Sequence, residues 1–138
     1  MPNKTESKMT PNSPESYERL NAQLKAIFDS SVDGIWVADH QGLVININRA
    51  SEELSGVKAE SLIGRHIKDI VEMGAFDNPV TMEILKTKQR VTRVQYAKKT
   101  KRTLICTGTP VFDEKGEIIL VVVNERDITQ LNDMKDQL

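Results

Sequence analysis

Residues 34–50 read GIWVADHQGLVININRA. The spacing Asp-x-x-Gly, at Asp39 and Gly42, separates two apolar runs that are rich in β-branched residues. An Asp at the first turn position can bond its own backbone two residues on, and Gly at the fourth supplies the positive φ of a short loop. The same spacing recurs in residues 113–116, again between apolar runs. We therefore predict two antiparallel hairpins, one near each end of the folded region.

The composition limits the possible classes of protein. With 138 residues the chain fits one domain, and its net charge of −1 gives no basic field for nucleic acid. The single cysteine, Cys106, excludes an internal disulfide and a cysteine-based zinc site. No apolar run approaches the roughly 20 residues that span a bilayer, and the N-terminus lacks the apolar core of a secretion signal. These features predict a cytoplasmic protein without membrane contact.

The N-terminal part divides into a tail and a helix. Residues 1–12 are polar and predict a disordered tail, whereas Ser13, Pro14 and Glu15 are typical of a helix start. A helix over residues 13–31 would carry an apolar stripe, which is either a contact with its own domain or a dimer seam. The stripe consists of Tyr17, Leu20, Leu24 and Ile27.

The remaining elements predict an α+β domain. Apolar alternation predicts strands near 35–39, 43–47, 91–96, 103–111 and 117–126. Short helices are predicted near 49–55, 59–63, 66–73 and 78–86, the last from the pair Asn78-Pro79, and a final helix from Ile128 onward. We expect an antiparallel sheet with the short helices on one face.

Several short motifs, in this order, resemble the PAS sensor domain family over roughly residues 20–130. They are Phe28 to Gly34, Asp39 to Gly42, Asn48-Arg-Ala50, Leu54-Ser-Gly56, Leu62-Ile-Gly64, Pro110 to Gly116 and the closing Arg126-Asp127-Ile128-Thr129. Residues 80–92, 110–116 and 124–131 are similar to a narrower group, the PAS domains N-terminal in bacterial sigma-54-dependent transcriptional activators. Sensor histidine kinases carry near-identical pieces.

The resemblance implies a five-stranded antiparallel sheet whose helices wall off a small pocket. It also implies dimerisation through the flanking helices and an effector domain placed C-terminally, outside this chain. On this basis residues 32–127 form the PAS core, and residues 128–138 form a linker helix to that effector.

The junction between the last strand and the last helix is the predicted point of signal coupling. Asp127 and Gln130 have capping-box spacing, and Thr129 is an alternative cap. Either side chain would fasten the end of the sheet to the start of the helix, so that a shift in the strand re-aims the helix. An ordinary cap without a signalling role is the alternative.

We predict no enzymatic activity, because no catalytic motif surrounds either histidine. His40 lies in a hairpin tip and is expected to be solvated. His66 opens a short helix; the alternatives are a surface histidine and a haem ligand. Haem-binding relatives take the haem ligand from a later helix, and in this chain that helix has no histidine. Flavin photosensors need a cysteine motif on a helix, whereas Cys106 is predicted to lie in a strand. We therefore expect neither haem nor flavin, and the cofactor stays unknown.

Candidate pocket residues come from the strands. Leu104, Cys106 and Gly108 share one strand face, and Gly108 would leave room near the sheet. Asn46 either faces water or reaches into the pocket. Trp36 is predicted to lie under the N-terminal helix or in a dimer contact.

The basic run at residues 98–102 has few aromatic neighbours, so a solvated hairpin is expected and direct nucleic-acid binding is not. The sequence thus predicts a homodimeric PAS signal-input module that senses a small molecule or a partner. The input domain of a sensor histidine kinase and a ligand-free interaction module are the alternatives.

Overall fold

The computed structural model describes residues 13–74 and 80–137. The predicted tail at 1–12 and the predicted helix start at Asn78-Pro79 lie outside the described residues. The chain divides into two compact units between Ser30 and Ser31, and each is described by itself.

The first unit contains helix α1, Pro14–Ser30. Ser13 caps it, because its Oγ accepts a hydrogen bond from the backbone N–H of Ser16 at 3.1 Å. Glu15 lies in the first turn, where a negative charge complements the helix dipole. No residue of α1 is buried.

The second unit is a five-stranded antiparallel sheet with short helices. The elements in chain order are β1 Gly34–Asp39, β2 Val44–Ile47, α2 Arg49–Ser55, α3 Ala59–Leu62, α4 Ile67–Glu72, α5 Val80–Thr87, β3 Val91–Ala97, β4 Arg102–Phe112, β5 Ile118–Asp127 and α6 Thr129–Asp136. The strand order is β2-β1-β5-β4-β3, so the first and last strands are neighbours in the middle of the sheet. This confirms the predicted α+β fold.

Both Asp-x-x-Gly spacings form hairpin loops. The Oδ1 of Asp39 accepts hydrogen bonds from the backbone N–H groups of Gln41 (2.8 Å) and Leu43 (3.0 Å). The Oδ1 of Asp113 accepts from Lys115 (2.8 Å) and Glu117 (3.0 Å) in the same way. The closing glycines, Gly42 and Gly116, have φ values of 87° and 80°, which side chains disfavour.

The core lies between the sheet and the short helices. Alternate residues of β4 and β5 are buried, and they pack with buried residues of the helices. Removing these apolar side chains from water supplies the main stabilisation of the fold. The largest fully buried apolar side chains include those of Leu62, Ile67, Ile70, Ile84 and Leu104.

Two predictions about this face were wrong. Trp36 is 3% exposed and belongs to the core, rather than to a helix or dimer contact on the other face. Gly108 leaves no empty room. A Cβ there would meet Ile84 Cδ1 and lie 2.6 Å from Val80 Cγ1, because α5 packs directly on the glycine. The helix has closed the space that the missing side chain provides.

Candidate functional site

The end of β5 is joined to both α6 and β4 by two side chains. The Oγ1 of Thr129 accepts a hydrogen bond from the backbone N–H of Thr103 at 2.8 Å. The Oδ1 of Asp127 accepts from the Thr129 backbone N–H at 2.9 Å and from its hydroxyl at 2.5 Å. Arg102, at the start of β4, pairs with the other oxygen of Asp127 at 2.5 Å. We call these four residues the exit joint.

The exit joint also perturbs the acidity of Asp127. Partial burial raises the pKa of this carboxyl, but the bonds from Thr129 and the pairing with Arg102 outweigh burial and lower the pKa below its ordinary value. Asp127 therefore stays ionised and keeps both interactions at neutral pH.

The capping prediction for α6 needs a correction. The helix begins at Thr129, and its cap position is Ile128, which makes no side-chain cap bond. Asp127 and Gln130 therefore do not form a capping box. The Thr129 hydroxyl is instead used by the neighbouring strand, because the helix starts where the N–H of Thr103 faces it.

The start of α2 is held against β1 by a buried asparagine. The Oδ1 of Asn48 accepts hydrogen bonds from the backbone N–H groups of Ser51 (3.0 Å) and Ile35 (2.8 Å). Its Nδ2 donates to the backbone carbonyl of Asp33 at 3.1 Å. One side chain thus caps the helix and fixes its distance from the first strand.

A second buried contact connects α2 to β5. The hydroxyl of Ser51 donates to Oε1 of Glu125 at 2.6 Å, and Glu125 is 0% exposed. Gly34 lies opposite Glu125 on β1, and a Cβ there would be 2.6 Å from Oε1 and 3.1 Å from the Cα of Ser51. The missing side chain therefore lets helix, carboxyl and strand meet.

Burial makes ionisation of Glu125 costly. It raises the pKa of the carboxyl from the ordinary 4.5 to about 7, although the Ser51 bond acts in the opposite direction. Oε2 has no hydrogen-bond partner within residues 13–74 and 80–137. A buried carboxylate oxygen without a hydrogen-bond donor makes the ionised form of Glu125 less stable than the protonated form.

The predicted pocket residues do not form one group. Leu104 and Cys106 are fully buried on the inner face of β4, and the Cys106 thiol donates to Oε1 of buried Gln95 at 3.3 Å. Asn46 is exposed, and its Oδ1 accepts from the N–H of Ile47 at 3.0 Å. Because it faces outward from β2, Asn46 does not line the core.

His66 holds the start of α4. Its Nδ1 accepts a hydrogen bond from the backbone N–H of Lys68 at 3.1 Å, which makes it the cap of the helix. A Cβ on Gly42 would lie 2.9 Å from Nε2, so the ring also lies against the first hairpin loop. Both nitrogens are close to backbone, and the side chain is half-buried.

A family model described as "PAS domain" matches residues 32–130. The chain belongs to the PAS domain family. The resemblance predicted from the motifs is thereby confirmed. Among curated proteins, none matches the chain.

Solved PAS domains share this fold. One from Colwellia psychrerythraea is 22% identical with a TM-score of 0.59, and the match covers 80% of this chain and 98% of that chain. The PAS domain of Bordetella pertussis BvgS is 22% identical with a TM-score of 0.59, covering 87% and 99%. That of nitrogen regulation protein NR(II) from Vibrio parahaemolyticus is 16% identical with a TM-score of 0.58, covering 76% and 97%.

Helix α5 carries no histidine, and Cys106 lies in the middle of β4. Residues 13–74 and 80–137 hold no group of three or more His, Cys, Asp or Glu side chains arranged for a metal ion. Within the same ranges, no helix has the length and apolarity needed to cross a bilayer.

The helices that flank the PAS core carry exposed apolar side chains. The α1 stripe, defined as Tyr17, Leu20, Leu24 and Ile27, is 49–67% exposed. On α6, Leu131 and Met134 are 66% and 59% exposed. A cleft of about 490 Å³ opens beside α6, and its lining includes Arg102, Asp127, Thr129, Gln130, Asp133 and Met134.

The sequence motifs of this PAS domain did not indicate Glu125 or Ser51, and they included Gly34 only as the last residue of a motif. A signal for Glu125 was present, since Val121, Val123 and Glu125 alternate along β5 and so share one face. A charged residue that shares a strand face with two valines is a candidate for burial. The pairing with Ser51, 74 positions away in the chain, carries no local signal.

Proposed function

We propose that this PAS domain is the signal-input and dimerisation module of a bacterial, cytoplasmic transcriptional regulator of the sigma-54-dependent type. It would sense a small molecule or a partner and relay that signal to an effector domain beyond Leu138. The module would itself be non-catalytic. The exit joint carries this proposal, because two side chains connect the last strand of the sensor to the helix that leads onward.

The relay would depend on a difference in affinity. A ligand shifts two arrangements of the sheet and α6 only if it binds one of them more tightly. Displacement of Thr103 or Arg102 on β4 would alter the bonds that orient Thr129 and Asp127. The direction of α6 would change with them, which makes Asp127 and Thr129 the proposed coupling residues.

A homodimer built on the α1 stripe is the second part of the proposal. Four exposed apolar side chains at helical spacing form a stripe that a second copy could cover in a coiled-coil arrangement. Residues 128–138 would act as the linker helix to the effector. The exposed side chains of Leu131 and Met134 on this helix would extend the contact between the two copies.

Two alternatives are supported by particular observations. The input domain of a sensor histidine kinase is supported by the fold likeness to a PAS domain described as part of a two-component sensor histidine kinase. A ligand-free interaction module is supported by the close packing of Val80 and Ile84 on Gly108. If the domain is a ligand-free interaction module, Leu104 and Cys106 are core residues only. If it is the input domain of a sensor histidine kinase, Leu104, Cys106 and His66 remain pocket candidates.

Native mass spectrometry of the freshly purified chain, compared with its denatured mass, tests the input function. Extra mass that is lost on denaturation supports a bound small molecule, whereas an apo dimer supports the interaction module. The reading frame that follows the Leu138 codon tests the regulator class. An ATPase domain supports the activator, and a histidine-kinase core contradicts it.

The dimer is tested with a pair of matched variants. L20E/L24E places charge on the α1 stripe, and A22E/A26E places the same charge on the opposite, exposed face of α1. Light scattering should report a monomer for the first and a dimer for the second. A dimer in both variants would contradict the proposed seam.

A further inference from the structure

Glu125 is the one carboxyl that residues 13–74 and 80–137 bury completely. Its Oε1 accepts a single bond, from the Ser51 hydroxyl, and its Oε2 has no partner in the same part of the chain. Protonation neutralises this carboxyl, whose buried surroundings would stabilise a negative charge poorly. Loss of the proton leaves a buried anion held by one hydroxyl, which is costly unless water reaches it.

Charged neighbours do not offset that cost. On β4 the residue opposite Glu125 is Cys106, whose thiol donates to Gln95. On α2, Arg49 and Glu53 are exposed, and Oε2 of Glu52 accepts from the backbone N–H of Ala59 at 2.9 Å. Further charged groups near these elements are Asp33 before β1, Arg126 and Asp127 on β5, and Lys99 against Gly56 at the end of α2.

Of those remaining groups, Asp33 and Arg126 pair with each other at 3.1 Å, and Asp127 pairs with Arg102. Lys99 lies at the opposite end of α2 from Asn48. Burial and the bond from Ser51 account for the shift in the pKa of Glu125, and Arg126, the positive charge next to it on β5, already has Asp33 as its partner. Movement of α2 away from the strand is then the simplest way to bring water to an ionised carboxylate.

The contact joins α2 to β5, the strand whose end the proposed relay uses. Ser51 belongs to the first turn of α2, which Asn48 fixes to β1. Glu125 precedes the exit-joint residue Asp127 by two positions on β5. A change at Glu125 therefore acts at once on the docking of α2 and on the strand end that carries α6.

We propose that Glu125 and Ser51 form a proton-operated latch, in which the protonated carboxyl keeps α2 docked on the end of β5 and ionisation releases α2 from that strand. The release would make the domain responsive to proton concentration. Burial places the pKa of Glu125 at about 7, so the group would change charge within the neutral range. Titration and release are properties of this domain, and only the onward step to α6 rests on the proposed input function.

The experiment uses the full chain labelled with ¹³C and measures the glutamate side-chain carboxyl shifts between about pH 4 and pH 9. One signal, absent from Glu125→Gln, should titrate with a midpoint near 7. Amide hydrogen exchange of α2, corrected for the intrinsic pH effect, should lose at least about tenfold protection between pH 5.5 and pH 8.5 in the unsubstituted chain, since one pKa unit corresponds to a factor of ten. The Gln variant should show no such step.

Two further variants make the result specific. Glu114→Gln removes an exposed glutamate from the second hairpin loop and should leave both the titration and the exchange step unchanged. Ser51→Ala removes the bond that lowers the pKa of Glu125, so the midpoint should move upward, and this holds even if the Gln variant does not fold.

Three outcomes would overturn the latch. They are a Glu125 midpoint below about 5.5, a midpoint near 7 without a change in α2 protection, and an exchange step that persists in the Gln variant. A working latch in a chain that is monomeric and ligand-free would contradict only the proposed function. A dimer or ligand complex without the titration would contradict only the latch.

Discussion

Thr129, the first residue of α6, accepts a hydrogen bond at 2.8 Å from the backbone N–H of Thr103, which lies 26 residues earlier on β4. The start of the exit helix is therefore attached to a strand other than the one that precedes it. The helix direction depends on the relative position of β4 and β5, which pair along nine register positions from Leu104 to Phe112. A displacement between these two strands would be converted into a change of angle at α6.

Thr129→Val tests that attachment. Valine keeps the shape of the side chain but leaves the N–H of Thr103 without its acceptor, so we expect a loss of about 1 kcal/mol in the free energy of unfolding. Hydrogen exchange in α6 should accelerate more than exchange in β1. Thr92→Val, which removes one partner of an exposed Thr92–Thr107 contact, is the control and should leave α6 unaffected. Equal exchange of α6 in both variants would argue against the attachment.

Gly108→Ala should destabilise the domain by about 1–3 kcal/mol, because the new methyl group overlaps Ile84 and Val80. The atom closest to the new methyl is Ile84 Cδ1, which Ile84→Val deletes. The alanine should therefore cost less in the valine background than alone, and urea denaturation of the four proteins measures this coupling. Additive effects would mean that α5 does not pack on Gly108 as described.

Stability should fall with pH in a window that Glu125 defines. The folded-state pKa of about 7 is above the ordinary 4.5, so the folded chain binds this proton more tightly than the unfolded chain. The stabilisation is complete below the ordinary value and is lost as pH rises toward 7. At about 1.36 kcal/mol per pKa unit, the loss between pH 4.5 and pH 7.5 is about 3 kcal/mol at most.

The difference in urea midpoint between the unsubstituted chain and Glu125→Gln at matched pH isolates this effect, because the other carboxyls cancel. Asp127 does not interfere, since its pKa is lowered and its contribution is lost only toward acid pH. A constant difference across the window would contradict the buried carboxyl.

Both hairpins should depend on the aspartate oxygen rather than on its charge. Asp113→Ala removes the acceptor of two backbone N–H groups and should cost about 1–2 kcal/mol, whereas Asp113→Asn keeps an amide oxygen in place and should cost less. The pair Asp39→Ala and Asp39→Asn should behave alike in the first hairpin. Thermal unfolding measures all four, and Glu114→Ala beside Asp113 provides a neutral reference. Equal losses for Ala and Asn would assign the effect to charge.

Local chemistry explains which features the sequence could predict. The two hairpins were predictable because Asp and Gly lie within four residues of each other, and the Asp side chain accepts hydrogen bonds from backbone N–H groups of the same loop. The two ends of α2 also depend on local chemistry, since Asn48 caps its start and Gly56, with a positive φ, follows its last residue. The long strands were predictable within one or two residues, since alternation of apolar side chains marks a strand with one buried face.

Features that depend on distant parts of the chain were not predictable in the same way. Alternation placed Trp36 on one face of β1, but it could not indicate that this face meets the helices. The spacing of Asp127 and Gln130 fitted a capping box, yet the N–H of Thr103 takes the Thr129 oxygen. The contact of Ser51 with Glu125 joins elements 74 residues apart, and only the fold brings them together.

The neighbouring position of β1 and β5 has a mechanical consequence. Gly34 at the beginning of β1 faces Glu125 at the end of β5, so the chain enters β1 and leaves β5 at the same end of these two strands. A force that pulls the start of β1 away from the end of β5 would break the backbone hydrogen bonds between these strands one pair after another. It would not load all six paired positions at the same time. The first pair to separate is Gly34 and Glu125, and Glu125 carries the carboxyl that contacts Ser51. Under such a force the domain would therefore open first where α2, β1 and β5 meet.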